Sequence, residues 1–84
     1  MTDDQPSILF YCTSWCPDCS QARGVLDRHR IKYQALDIDK DPEARKAVEQ
    51  MNRGLRSVPT IVFPDGSILV EPSTYQLQQK LGLD

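Results

Sequence analysis

Histidine occurs once, tryptophan once and cysteine three times in 84 residues. All the cysteines fall between Cys12 and Cys19. A disulfide-stapled scaffold spreads its cysteines to close long loops, so this crowding excludes one. It also leaves a metal site short of ligands, because no fourth cysteine or neighbouring histidine completes a zinc or cluster set. Positive charge is not in excess: 10 Lys and Arg face 12 Asp and Glu, for a net charge of −2. That excludes nucleic acid as the main partner, since phosphate binding needs concentrated cationic side chains. No apolar run approaches the length of a membrane span. Met1 to Ser7 is acidic and polar, which does not fit a secretory leader. The expected compartment is the cytoplasm, where thiols stay reduced.

Apolar patterning supplies a complete set of elements, with no repeat, linker or low-complexity stretch. Ser7 to Tyr11 is a continuous apolar run, as in a strand buried on both faces. Pro17 suits the first position of a helix. Ala22, Val25, Leu26 and His29 then recur on one helical face, with Cys19 one step before them. Lys32 to Ile38 reads as a second strand. Asp41-Pro42-Glu43 is a cap, a proline and an acid at a helix start, and Ala44, Ala47, Val48 and Met51 share its buried face. Thr60 to Phe63 and Ile68 to Val70 are short strands around a Pro64-Asp65-Gly66 turn. Ser73 caps a last helix with Thr74, Leu77 and Leu81 on one side. The expected fold is α/β in the order β-α-β-α-β-β-α: a four-stranded mixed sheet with helices on both faces. The first strand–helix–strand unit is parallel with a right-handed crossover. Residues 1–84 are expected to form one monomeric domain, with residues 1–6 a flexible N-terminus.

The chemistry concentrates in Trp15-Cys16-Pro17-Asp18-Cys19, a C-x-x-C just after a buried strand and opening a helix. Thiol chemistry needs that placement. The attacking species is the thiolate, and the unpaired N–H groups and dipole at a helix start stabilise its charge. Cys16 is expected at the exposed mouth and Cys19 on the core side, one turn away. Cys12 reads as a buried small residue on a strand end. Ser57-Val58-Pro59-Thr60 precedes the third strand, where a proline is awkward unless its bond is cis. A cis Val58-Pro59 bond turns the Val58 carbonyl and N–H towards Cys16, where they can pair with a substrate backbone.

These residues resemble the thioredoxin superfamily, and the short chain resembles its glutaredoxin branch. Tyr11 to Cys19 (YCTSWCPDC), Arg56 to Thr60 (RSVPT) and Phe63 to Ser73 (FPDGSILVEPS) are similar to the mycoredoxins. These are actinobacterial glutaredoxin-like proteins that reduce mixed disulfides with mycothiol. The resemblance implies the thioredoxin fold, a nucleophile at Cys16, a resolving thiol at Cys19 and a cis-proline at Pro59. It implies no bound cofactor, with a low-molecular-weight thiol as co-substrate and oxidised or S-thiolated proteins as partners. Glutathione-using glutaredoxins carry a Lys where this chain has Thr13. They also carry a Gly-Gly and Asp signature where it reads Glu71-Pro72-Ser73-Thr74. Both departures remove groups that hold glutathione's carboxylates, and they favour an uncharged thiol such as mycothiol. Thr13, Ser14, Ser73 and Thr74 can exchange hydrogen bonds with sugar hydroxyls. Trp15 can cover an apolar sugar face. Pro17, Val58 and Pro59 complete the expected contact set.

Other assignments compete. Cys16 and Cys19 also allow a dithiol redoxin that feeds electrons to a ribonucleotide reductase and is recharged by a flavoprotein reductase. Such redoxins carry a Gly-Phe-x-Pro signature, which Glu71-Pro72-Ser73 does not match. Cys12, Cys16 and Cys19 also allow a three-cysteine metal carrier. His29 suits a C-terminal helix cap. Arg56, close in sequence to Pro59, is either solvated or an anion holder. Asp18 is the odd residue, a carboxylate between thiols that opposes thiolate formation.

Overall fold

The computed structural model describes residues 8–82. The expected flexible segment, residues 1–6, lies outside them, as does Ser7 at the expected start of the first strand. Seven elements follow in the anticipated order: β1 (Ile8–Cys12), α1 (Pro17–Arg28), β2 (Tyr33–Asp37), α2 (Pro42–Met51), β3 (Thr60–Val62), β4 (Ile68–Val70) and α3 (Thr74–Leu81). They form a four-stranded sheet in the order β2-β1-β3-β4. β1 runs parallel to β2, with Phe10 opposite Ala35, and antiparallel to β3, with Phe10 opposite Ile61. β4 closes the hairpin against β3.

β1 is buried because apolar layers cover both faces of the sheet. Ile8, Phe10 and Cys12 point to one side and join Cys19, Ala22, Val25 and Leu26 of α1, Ile61 of β3 and Leu77 of α3. Tyr11 points to the other and joins Ile38 with Ala44 and Val48 of α2. This is the alternation of a strand whose neighbouring residues face opposite sides. Phe10, Leu26, Val48, Ile61 and Leu77 are wholly buried. Burying each of these fully contributes about 1.5–3 kcal/mol.

The helix starts are locally encoded. The Asp41 side chain accepts from the N–H groups of Glu43 and Ala44 at 3.1 and 3.2 Å. Ser73 and Gln76 form a reciprocal capping box at α3, 3.0 and 2.8 Å. Each satisfies N–H groups that a helix start leaves unpaired. α1 differs: Cys16 occupies its cap position and makes no side-chain capping bond.

α1 ends at Arg28 with His29 as its exposed C-cap, as expected. Two expectations change. β2 is shorter at both ends than Lys32–Ile38. Ile38 leaves the strand but stays buried under α2, its N–H donating to the Cys12 carbonyl at 3.0 Å. β3 stops at Val62, and Phe63 opens the turn: its carbonyl accepts from the Gly66 N–H and its own N–H donates to the Ser67 carbonyl, both at 2.9 Å. Gly66 sits in that turn at φ 90°, a conformation that glycine adopts without a Cβ clash.

Candidate active site

The site lies at the carboxyl ends of β1 and β2, where parallel strands release their chains along one edge of the sheet. The chain leaves β1 at Cys12, turns through Thr13, Ser14 and Trp15, and enters α1 at Pro17. Cys16 therefore faces a helix start whose first N–H groups no side chain caps. The Val58-Pro59 bond is cis. The Cys16 thiol is directed at the Val58 carbonyl, sulfur to oxygen 3.8 Å, a long contact typical of a weak sulfur donor. Both elements read from sequence thus meet across 42 residues.

Cys16 does not stand at an exposed mouth. It is 7% exposed against 3% for Cys19, because the Val58 segment closes over its sulfur. Its neighbours Ser14, Trp15, Pro17 and Asp18 are exposed, so the thiol is recessed among accessible residues. Cys19 packs into the core, and burial pushes its thiol up to about 12, with Cys16 adding to the rise and a backbone hydrogen bond with Thr13 opposing it. At neutral pH it holds its proton. The Cys12 thiol is also raised, by burial first, against the opposing pull of the Arg23 guanidinium. This agrees with a buried residue on a strand end. All three cysteines are free thiols.

Thr13 corrects an expectation. It is 5% exposed, and its hydroxyl is covered and has no hydrogen-bond partner among the described residues. Folded back against the core beside Cys12, that hydroxyl cannot meet a sugar at the surface. Trp15, in contrast, is 70% exposed. Its indole N–H donates to the Asp39 carboxylate at 2.9 Å. Asp39 follows β2, and its own N–H donates to Asp37 at 2.9 Å. Sequence reading missed Asp39. The available clue was that the ends of parallel neighbours β1 and β2 lie side by side.

Arg56 is exposed, and its guanidinium pairs with Glu49 of α2 at 2.7 Å. It is thus neither simply solvated nor an unpaired anion holder. Asn52 was also missed. Its amide donates to the Val48 carbonyl at 3.0 Å and to the Thr60 hydroxyl at 3.2 Å. That hydroxyl donates to the Ser57 carbonyl at 2.7 Å. The chain from α2 through Asn52 and Thr60 holds the Ser57–Pro59 loop, and Asn52 carries no local motif that announces it. On the other side, the Glu71 N–H donates to the Pro59 carbonyl at 2.8 Å. Glu71 stands at φ 49°, the left-handed region that favours glycine.

Ser73 and Thr74 lie at the start of α3, beside α1. Between the helices runs a groove of about 180 Å³ with Asp18 and Gln21 on one wall and Ser73 and Thr74 on the other. The structure therefore brings Cys16, Cys19, Val58 and Pro59 into one centre. Ser14, Trp15 and Pro17 lie exposed beside it, Ser73 and Thr74 line the groove, Thr13 is buried, and Arg56 is paired with Glu49.

The glutaredoxin family model matches residues 8–68. A protein of Mycobacterium tuberculosis provisionally named a glutaredoxin is 39% identical over 75 residues, 89% of each chain. Mycoredoxin 1 of Corynebacterium glutamicum is 33% identical over 75 residues, covering 89% of this chain and 92% of that protein. Among solved structures, the glutaredoxin of Archaeoglobus fulgidus superposes with a TM-score of 0.73 at 26% identity, covering 93% of this chain and 88% of that one. A thioredoxin-like protein reaches 0.82 at 28% identity, covering 95% and 100%. A strand that delivers two cysteines to a helix start, and a family match over most of the chain, lead to one conclusion: the chain belongs to the glutaredoxin family and is a thiol–disulfide oxidoreductase of the thioredoxin fold.

Proposed function

We propose that residues 1–84 act as one monomeric, cytoplasmic domain that reduces mixed disulfides between proteins and a small thiol, with Cys16 as nucleophile. The Cys16 thiolate attacks the small-thiol sulfur of the mixed disulfide. The bond between protein and small thiol breaks, and the protein sulfur leaves as a thiolate and takes a proton from water. Cys16 now carries the small thiol. A second small thiol, as thiolate, attacks that sulfur, releasing Cys16 and a symmetrical small-thiol disulfide. The cycle needs no bound cofactor. The observation that carries this reading is the position of Cys16. It occupies an uncapped helix start beside the Val58 carbonyl, among exposed neighbours, while Cys19 stays buried and protonated behind it.

A buried, protonated Cys19 attacks poorly, so it serves as a resolving thiol that forms a protective Cys16–Cys19 disulfide, not as an obligatory partner. That favours the small-thiol cycle over a dithiol redoxin recharged by a flavoprotein reductase.

For the co-substrate, the reading is a neutral, hydroxyl-bearing thiol of the mycothiol kind in preference to glutathione. Arg56 is already paired with Glu49, and no lysine stands at position 13. Ser14, Ser73 and Thr74 offer hydroxyls, Trp15 an aromatic face, and the Val58-Pro59 edge a backbone pairing surface. Parallel turnover assays with mycothiol, glutathione and a thioredoxin-reductase system test this. Mycothiol should exceed glutathione at least about tenfold in kcat/KM, a difference of about 1.4 kcal/mol. Equal or better turnover with glutathione overturns the preference. Efficient turnover only with the reductase system favours the dithiol redoxin.

A further inference from the structure

Asp18 is the sole ionisable side chain lining the groove between α1 and α3. It is exposed and takes part in neither of the ion pairs among the described residues. Asp18, two residues after Cys16, opens the groove, and Ala22 and Leu77 floor it, which gives an apolar base between polar walls. Both walls are helix starts: Asp18 lies in the first turn of α1, and Ser73 and Thr74 open α3. Their dipoles bring positive potential to one groove, and at α1 no side chain caps the first N–H groups. Each start carries the equivalent of roughly half a positive charge. One carboxylate among them is of similar size and opposite sign.

We propose that Asp18 is a specificity-determining residue, cancelling the anion affinity of the α1–α3 groove so that it accepts a small thiol with a neutral, hydroxyl-rich end and not one bearing carboxylates. This rests on the reading that Cys16 captures the small thiol. The groove then does with charge what Ser73, Thr74 and Gln21 do with hydrogen bonds. Hydroxyls of a sugar can donate to the Asp18 carboxylate, whereas a carboxylate there meets repulsion. Asp18 was read from sequence as a misfit beside a thiolate. The groove supplies a reason for a carboxylate at this position that thiol activation does not.

The test compares one peptide carrying glutathione in mixed disulfide with the same peptide carrying glutathione diethyl ester, which lacks the carboxylates. Single-turnover transfer of each to Cys16 is measured for the wild type, Asp18→Asn and Asp18→Lys. Any effect of Asp18 on the reactivity of the Cys16 sulfur scales both substrates alike, so the acid-to-ester ratio reports the groove alone. Asp18→Asn should raise that ratio about fivefold, the reach of one exposed charge pair, and Asp18→Lys should raise it further. A ratio unchanged within about twofold in both variants overturns the proposal, even if both rates move together. Failure of the underlying reading looks different: Cys16→Ser would still transfer the small thiol from both substrates. Both substitutions fall on an exposed side chain, and circular dichroism checks that the fold is kept.

Discussion

The indole N–H of Trp15 donates to the carboxylate of Asp39, 2.9 Å away and 24 residues later in the chain. The bond joins the turn after β1 to the turn after β2. It holds a side chain that is 70% exposed in one orientation beside Cys16. A flat aromatic face adjacent to the thiol is useful only if it stays there, since ordering a free side chain on binding costs about 0.5–1.5 kcal/mol.

Asp39→Ala should therefore release the indole without disturbing the fold. Trp15 is the only tryptophan, so fluorescence anisotropy and emission wavelength report it directly. Anisotropy should fall, and KM for the small thiol should rise about two- to fivefold with kcat little changed, the loss expected of one hydrogen bond to a charged group at an exposed rim. Unchanged anisotropy would show that packing, not Asp39, orients the ring.

The two active-site thiols should separate under mutation and pH. Cys16→Ser should abolish exchange, whereas Cys19→Ser should retain reduction of mixed disulfides by a small thiol. In the proposed cycle, Cys19 can displace the captured thiol only as a thiolate. Its thiol is pushed up to about 12, so below that pH the thiolate fraction grows about tenfold per pH unit. The rate of Cys16–Cys19 disulfide closure, followed by stopped flow, should climb with that slope from pH 7 through pH 9. Turnover through an external small thiol bypasses Cys19, so Cys19→Ser should keep it while losing disulfide closure altogether. Equal loss in both serine variants would point to the obligatory dithiol cycle.

Stability and chemistry should separate at Asp41. Its carboxylate caps α2 through Glu43 and Ala44, and neither bond involves the Thr13–Cys19 segment. Asp41→Ala should cost about 1 kcal/mol of folding stability, which for a domain of this size lowers the melting temperature by roughly 4–8 °C. Calorimetry reads the shift, and kcat/KM at 25 °C should stay at the wild-type value. A comparable loss of activity in the folded protein would mean that α2 transmits order to the Ser57–Pro59 loop through Asn52 and Thr60.

Local chemistry in the sequence determined the element order, the caps at Asp41 and Ser73, the turn at Pro64-Asp65-Gly66, the placement of Cys16 at a helix start and the cis-proline position. Each depends on residues within a turn or two of one another, where backbone geometry and side-chain type settle the outcome. The burial of Cys19 followed the same way, from helical periodicity. Only the tertiary structure decided contacts between segments far apart in the chain. The Val58 loop recessed Cys16, which helix position alone had set at an exposed mouth. Core packing covered the Thr13 hydroxyl, although the resemblance to glutaredoxins had placed it on the ligand side. Glu49 took Arg56, Asp39 took Trp15, and Asn52 reached Thr60. The groove that gives Asp18 a role forms only when the first turns of α1 and α3 come together. These pairings depend on how strands and helices stack, which no run of neighbouring residues encodes.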